Sequence, residues 1–213
     1  MDLSTAKDNK LQAGEFFMYI PFHYQVSEYD CVPTAMVNAI SYLFCRKEIP
    51  PMVIQHIYLY SMDTVSRDAR FGIGGTSKLA VRLMGNWLSS YKMGKFSVRT
   101  EFLDQEKVSL GTGDQIHNCL EEGGIVLCNM LLTPREEHYI MITAIEDEWV
   151  YCFDSYRRNF VHRMQGRIKI LKSDDGRAPN LKIKKDWLEQ SQMNRFCLGP
   201  FHLRESLLIW RNS

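Results

Sequence analysis

Gln25-Val26-Ser27-Glu28-Tyr29-Asp30-Cys31-Val32-Pro33-Thr34-Ala35-Met36-Val37-Asn38-Ala39-Ile40 carries a loop into a helix, with Cys31 at the junction. Pro33 suits the first helical turn, because its missing N–H is not needed there and its φ is already helical. Ala35, Met36, Ala39, Ile40 and Leu43 then recur at helical spacing, predicting a helix from about Pro33 to Cys45. Helix N-termini favour anions, so a thiol placed there is favoured as thiolate, its nucleophilic form. Gln25, six positions upstream, offers a side-chain amide that can donate to an oxyanion beside the sulfur.

A nucleophile needs a base. His138-Tyr139-Ile140-Met141-Ile142-Thr143-Ala144-Ile145 reads as a strand opening on a histidine, and Trp149-Val150-Tyr151-Cys152-Phe153-Asp154 as its hairpin partner. That hairpin returns Asp154 beside His138, the spacing an acid needs to orient the imidazole. His23 lies near Gln25 but belongs to a separate extended segment. His56, His117, His162 and His202 have no acid at a hairpin-consistent spacing.

These residues resemble those of papain-like cysteine peptidases, in the group that includes the bacteriocin-leader-processing, double-glycine peptidases. The likeness rests on Gln25 followed by Asp30-Cys31, a strand opening His138-Tyr139, and Asp154 closing the next strand, in the family's order over most of the chain. It implies Gln25 as oxyanion donor, Cys31 as nucleophile, His138 as general base and Asp154 as its orienter. It also implies a papain-like α+β fold, with an N-terminal helical lobe packed against a C-terminal antiparallel sheet and substrate held in the cleft between them. Val32 stands where the group usually has glycine, and Ser155 where proline is common.

Composition agrees with one globular unit. The chain has 213 residues, 45% hydrophobic and 24% charged, enough for a buried core. Residues 1–14 are polar and read as a tail; residues 15–213 read as a single domain. The +1 net charge argues against a nucleic-acid binder. No apolar run reaches the ~20 residues that span a bilayer, and the first residues lack the apolar core of a signal peptide, so a cytoplasmic protein without a membrane partner is expected. The six cysteines form no Cys-x-x-Cys pair and predict neither a zinc site nor a disulfide framework; no cofactor is expected.

Along the chain, helices are predicted over Met52–Ser66 and Lys78–Tyr91, the latter with Leu79, Leu83, Met84, Trp87 and Leu88 inward. A short helix opens at Gly113-Asp114 and another at Asp186. Strands are predicted at Phe96–Phe102, Ile125–Leu132, Arg167–Leu171 and Leu207–Trp210, with Lys172–Lys185 an exposed loop. Gly72-Ile73-Gly74-Gly75-Thr76-Ser77-Lys78 is too short between glycines for a phosphate loop and reads as a turn that can border the cleft. Arg157-Arg158 reads as a solvated loop. Helices first and strands second give α+β.

Three functions fit these residues. The first is a thiol hydrolase of peptide or isopeptide bonds working through a Cys-His-Asp triad. The second is an acyltransferase passing the acyl group to an amine. The third is an inactive binding module. The resemblance to leader peptidases adds a separate transporter as a partner for any role in peptide export.

Overall fold

The structure is a computed structural model that describes residues 19–65, 68–134, 136–159, 164 and 166–212. The expected tail over residues 1–14 lies outside the described residues. The protein is a mixture of helices and antiparallel sheet. Its helices are α1 (Cys31–Leu43), α2 (Pro51–Tyr60), α3 (Lys78–Ser90), α4 (Gln115–Glu121) and α5 (Lys185–Leu188). Its strands are β1 (Lys92–Met93), β2 (Phe96–Asp104), β3 (Ile125–Thr133), β4 (Glu136–Glu146), β5 (Trp149–Phe153), β6 (Ile168–Ile170), β7 (Leu181–Lys184) and β8 (Glu205–Arg211). They form one sheet in the order β1-β2-β8-β3-β4-β5-β7-β6, and each neighbouring pair is antiparallel.

The sheet is buried on both faces through its middle, which is why Ile125–Leu131 is apolar without alternation, Asn129 excepted. On one face Ile125, Leu127, Tyr139, Met141, Phe153, Leu207 and Ile209 meet Ala35, Met36, Ala39 and Ile40 of α1, together with residues of α2 and α3. On the other, Val126, Cys128, Ile140, Ile142, Val150, Cys152 and Leu208 pack with Ile116 and Cys119 of α4 and Leu188 of α5. Each large aliphatic side chain removed from water here contributes about 1.5–3 kcal/mol. Every residue from Val32 to Ser41 is buried, so α1 is a core helix and its N-terminus is fixed relative to the sheet.

Three expectations need correction. The second helix stops at Tyr60, short of the predicted Ser66 (itself outside the described residues). There Met62 takes a left-handed φ of 58° and donates its N–H to Thr76 Oγ1, turning the chain toward the glycine-rich loop. On α3, Leu79 and Leu83 are 64% and 58% exposed, while Ala80, Val81, Met84, Gly85 and Leu88 face inward. The inward face is set by Gly85, whose missing side chain lets the helix approach Leu207 and Thr100 closely. Finally, Lys172–Lys185 is not wholly a loop, since Leu181–Lys184 forms β7 between β5 and β6. The alternation there is only four residues long, and the strands it pairs with are distant in sequence except for β6.

The segment before α1 lies along the core from Tyr19 onward. Phe22 is buried with its ring edge-on to Phe153 and its N–H bonded to the Gly176 carbonyl at 2.8 Å. Asn38 of α1 brackets the main chain of His23, accepting from its N–H at 2.7 Å and donating to its carbonyl at 2.9 Å.

Candidate active site

Cys31 is the first residue of α1 and the one cysteine of the six that is not fully buried. At that position its main-chain N–H has no acceptor within the helix. The loop leading to it is tied by Asp30, one of the few buried carboxylates. Its oxygens accept from the Val26 N–H at 3.0 Å, the Ser27 N–H at 2.8 Å and the Ser27 hydroxyl at 2.8 Å. Burial would raise the Asp30 pKa, but these donors outweigh it and hold the carboxyl below its ordinary value. Pro33 then enters the first turn as the sequence predicts.

His138 lies two residues into β4 and Asp154 immediately follows β5; both are buried. Hairpin pairing sets Met141 opposite Phe153, which brings the two side chains together, with His138 Nε2 2.7 Å from Asp154 Oδ1. Cys31 and His138 line one cleft, close enough for the sulfur to act on the charge of the imidazole. With Nε2 occupied by Asp154, Nδ1 is the nitrogen left to face the sulfur. Burial alone would lower the His138 pKa. The Asp154 bond and Cys31 more than reverse that, and it is pushed up to about 9. For Asp154, burial is likewise opposed and outweighed, by His138 and Arg158, and its carboxyl is held below the usual range.

Three residues given no role in the sequence hold Asp154 in place. Arg158 Nε donates to Asp154 Oδ2 at 2.5 Å, with the guanidinium lying against the rings of Tyr156 and Phe196. This corrects the reading of Arg158 as a solvated loop residue; Arg157 is the exposed one of the pair. The Tyr156 N–H donates to Asp154 Oδ1 at 2.8 Å. Asn180 brackets the Asp154 main chain, accepting from its N–H and donating to its carbonyl, both at 2.8 Å. Ser155, next in line, reaches back to Gln25. In sequence only the Asp-x-x-x-Arg spacing hints at any of this, because Asn180 and Phe196 arrive from distant segments.

Gln25 faces the same cleft as Cys31 and His138. Its Oε1 accepts from the Ser155 hydroxyl, and one Nε2 hydrogen goes to the Ser27 carbonyl at 2.8 Å. The second Nε2 hydrogen remains for another acceptor. The cleft encloses about 710 Å³ and is bordered by Gly74 and Gly75 of the glycine-rich loop and by Glu136 and Glu137. Val32 touches it but is only 1% exposed, so its side chain belongs to the core more than to the cleft. A slightly larger cavity of about 790 Å³ lies behind Asp154, walled by residues 170–181, and neither Cys31 nor His138 lines it. His23 lines a separate groove with Val37 and Ser41, away from the sulfur.

The arrangement can do nucleophilic chemistry: a half-buried thiol at a helix start, an imidazole against it, and a carboxylate anchoring the imidazole. Among the described residues, no cluster of three or more histidine, cysteine or acidic side chains is placed to hold a metal, and no helix is long and apolar enough to cross a membrane. No family model and no curated protein matches this chain.

Proposed function

We propose that the chain is a papain-like thiol hydrolase that cleaves a peptide or isopeptide bond. The observation that carries this reading is the 2.7 Å His138–Asp154 pair set against Cys31 at the start of a buried helix. The division into α1–α3 on one face of an antiparallel sheet agrees with papain-like architecture. Six unpaired cysteines agree with a reducing compartment such as the cytoplasm.

In the first half-reaction Cys31 Sγ, as thiolate, adds to the scissile carbonyl. The oxyanion receives hydrogen bonds from the Cys31 N–H and the free Nε2 hydrogen of Gln25. As the tetrahedral adduct collapses, the His138 imidazolium gives its proton to the leaving amine, and a thioester remains on Cys31. Water enters, His138 takes its proton, the resulting adduct expels the thiolate, and a carboxylic acid leaves. Asp154 keeps the ring oriented throughout and stabilises its charged form.

The test is site-resolved alkylation combined with peptide cleavage. Iodoacetamide at pH 6 is expected to modify Cys31 faster than the other five cysteines and faster than glutathione. Against a mixed peptide library, Cys31→Ala is expected to abolish cleavage, and a thioester adduct to appear on Cys31 by mass. A Cys31 no more reactive than glutathione, with no cleavage that depends on it, would overturn the reading and leave the binding-module alternative.

A further inference from the structure

The buried Arg158 guanidinium is unaccounted for by a Cys-His-Asp triad. Its side chain is 14% exposed and its Nε ends on the carboxylate oxygen that His138 does not use. Its Nη2 is buried with no hydrogen-bond partner. Burying a guanidinium with one nitrogen unsatisfied costs stability. Closing off a loop does not require such an arrangement, since a neutral donor could cap Asp154 at lower cost.

We propose that Arg158 is a positioning residue for this centre: it binds the far oxygen of Asp154 and takes up part of that carboxylate's charge, so that His138 holds its proton loosely enough to pass it to a leaving amine. The proposal rests on the hydrolase reading above. An isolated carboxylate against a buried imidazole would lock the imidazolium, and a general acid that cannot release its proton is a poor one. A cation on the opposite side of the carboxylate weakens that hold without moving the ring. Asp154 does not depend on Arg158 alone for its place, because the Tyr156 N–H and Asn180 also hold it.

The charges around the pair are few. From α1 the imidazole faces Cys31, and from the end of β5 it faces Asp154. Asp154 faces His138 and Arg158, with the buried Cys152 thiol nearby. Glu28, Glu136, Glu137 and Arg195 border the cleft. Removing the Arg158 charge therefore leaves Asp154 acting on His138 with little opposition. The expected direction is up: His138 holds its proton to higher pH.

The experiment is an NMR titration of the His138 imidazole in the full chain, for wild type, Arg158→Gln and Arg158→Lys, with Cys31 acylation rates measured in parallel. Arg158→Gln is expected to move the His138 midpoint up by about one unit and to slow acylation about tenfold. Arg158→Lys, which keeps the charge, is expected to return the midpoint close to wild type. A folded Arg158→Gln protein whose His138 midpoint is unchanged or lower would overturn the proposal. In the wild type the Arg158 Nε–H resonance is expected to titrate with the His138 midpoint, a readout that holds even if the Gln variant does not fold; an unresponsive resonance also overturns it. A coupled Arg158 beside an unreactive Cys31 would sink the hydrolase reading alone, and a reactive Cys31 with an unshifted His138 would sink this proposal alone.

Discussion

Gln25 and Ser155 are joined twice: the Gln25 N–H donates to the Ser155 carbonyl at 3.0 Å, and the Ser155 hydroxyl donates to Gln25 Oε1 at 2.9 Å. The two residues lie 130 positions apart. One precedes Cys31 and the other directly follows Asp154. The two hydrogen bonds therefore fix the loop before α1 against the end of β5, and with Oε1 taken by Ser155 and one Nε2 hydrogen by the Ser27 carbonyl, a single Nε2 hydrogen of Gln25 remains.

Ser155→Ala removes the hydroxyl half of that link and lets the amide rotate. Turnover is expected to fall about threefold to tenfold, with a stability loss of about 1 kcal/mol. Gln25→Ala removes the proposed oxyanion donor itself and is expected to cost about a hundredfold in kcat. Steady-state kinetics on a cleaved peptide, with urea midpoints alongside, separate the two effects. Equal losses from both variants would argue that Gln25 matters only as a brace.

The His138–Asp154 pair makes stability depend on pH in a defined window. His138 is raised from about 6.5 unfolded to about 9 folded, so its contribution is complete below about 6.5 and is lost as pH rises through about 9. Asp154 is lowered, so its contribution is present above its ordinary value near 3.8 and is lost as pH falls through the folded value. Both are complete between about pH 4 and 6.5. Asp154→Asn is expected to be less stable than wild type by about 3 kcal/mol in that window. Urea unfolding from pH 4 to 10 should show the gap narrowing from about pH 6.5 upward and at its smallest above about pH 9.

Asp30 braces the loop that leads to Cys31. Asp30→Ala leaves the Val26 and Ser27 N–H groups without their acceptor and is expected to cost about 3 kcal/mol. Because the Asp30 pKa is lowered on folding, its contribution is present near neutral pH and disappears as pH falls through the folded value. Urea unfolding from pH 7 down into acid checks both statements: the variant's disadvantage should shrink as Asp30 takes up its proton. Cys31 alkylation should slow in the same variant, since the loop that presents the sulfur has come loose.

Gly85→Ala sets two effects against each other. Alanine is favoured over glycine within a helix by about 1 kcal/mol. A Cβ at this position would stand 2.6 Å from Leu207 Cδ1, inside a fully buried layer between α3 and β8. Overpacking of this kind costs about 1–3 kcal/mol and is expected to win. Thermal unfolding decides the sign, and a stabilised variant would mean that Leu207 has room to move aside.

Local signals in the sequence located the helix start at Cys31 and the β4–β5 hairpin. Both depend on short-range chemistry, namely Pro33 in a first turn and two apolar runs separated by a tight turn. The hairpin spacing alone places Asp154 near His138. What escaped was set by contacts between distant segments. Asn180 and Phe196 reach the site from loops with no periodic pattern, and a charged pair after a strand reads as solvated unless its buried partners are known. β7 has four residues, two of them lysines, and becomes a strand only because β5 and β6 flank it. The face of α3 was misread because a glycine, which contributes no hydrophobic signal, sets the packing.

β8 lies between β2 and β3, although it is the last of these strands in the chain. Until residues 205–211 have left the ribosome, the β1–β2 ribbon with α3 and the β3–β7 block have no main-chain hydrogen bonds joining them within the sheet. Each can form early, but each waits with an open edge that the other cannot cover. Completion of the sheet is thus deferred until β8 has been made. Until then the open edges of β2 and β3 are the places where a nascent chain would need protection from pairing with its neighbours.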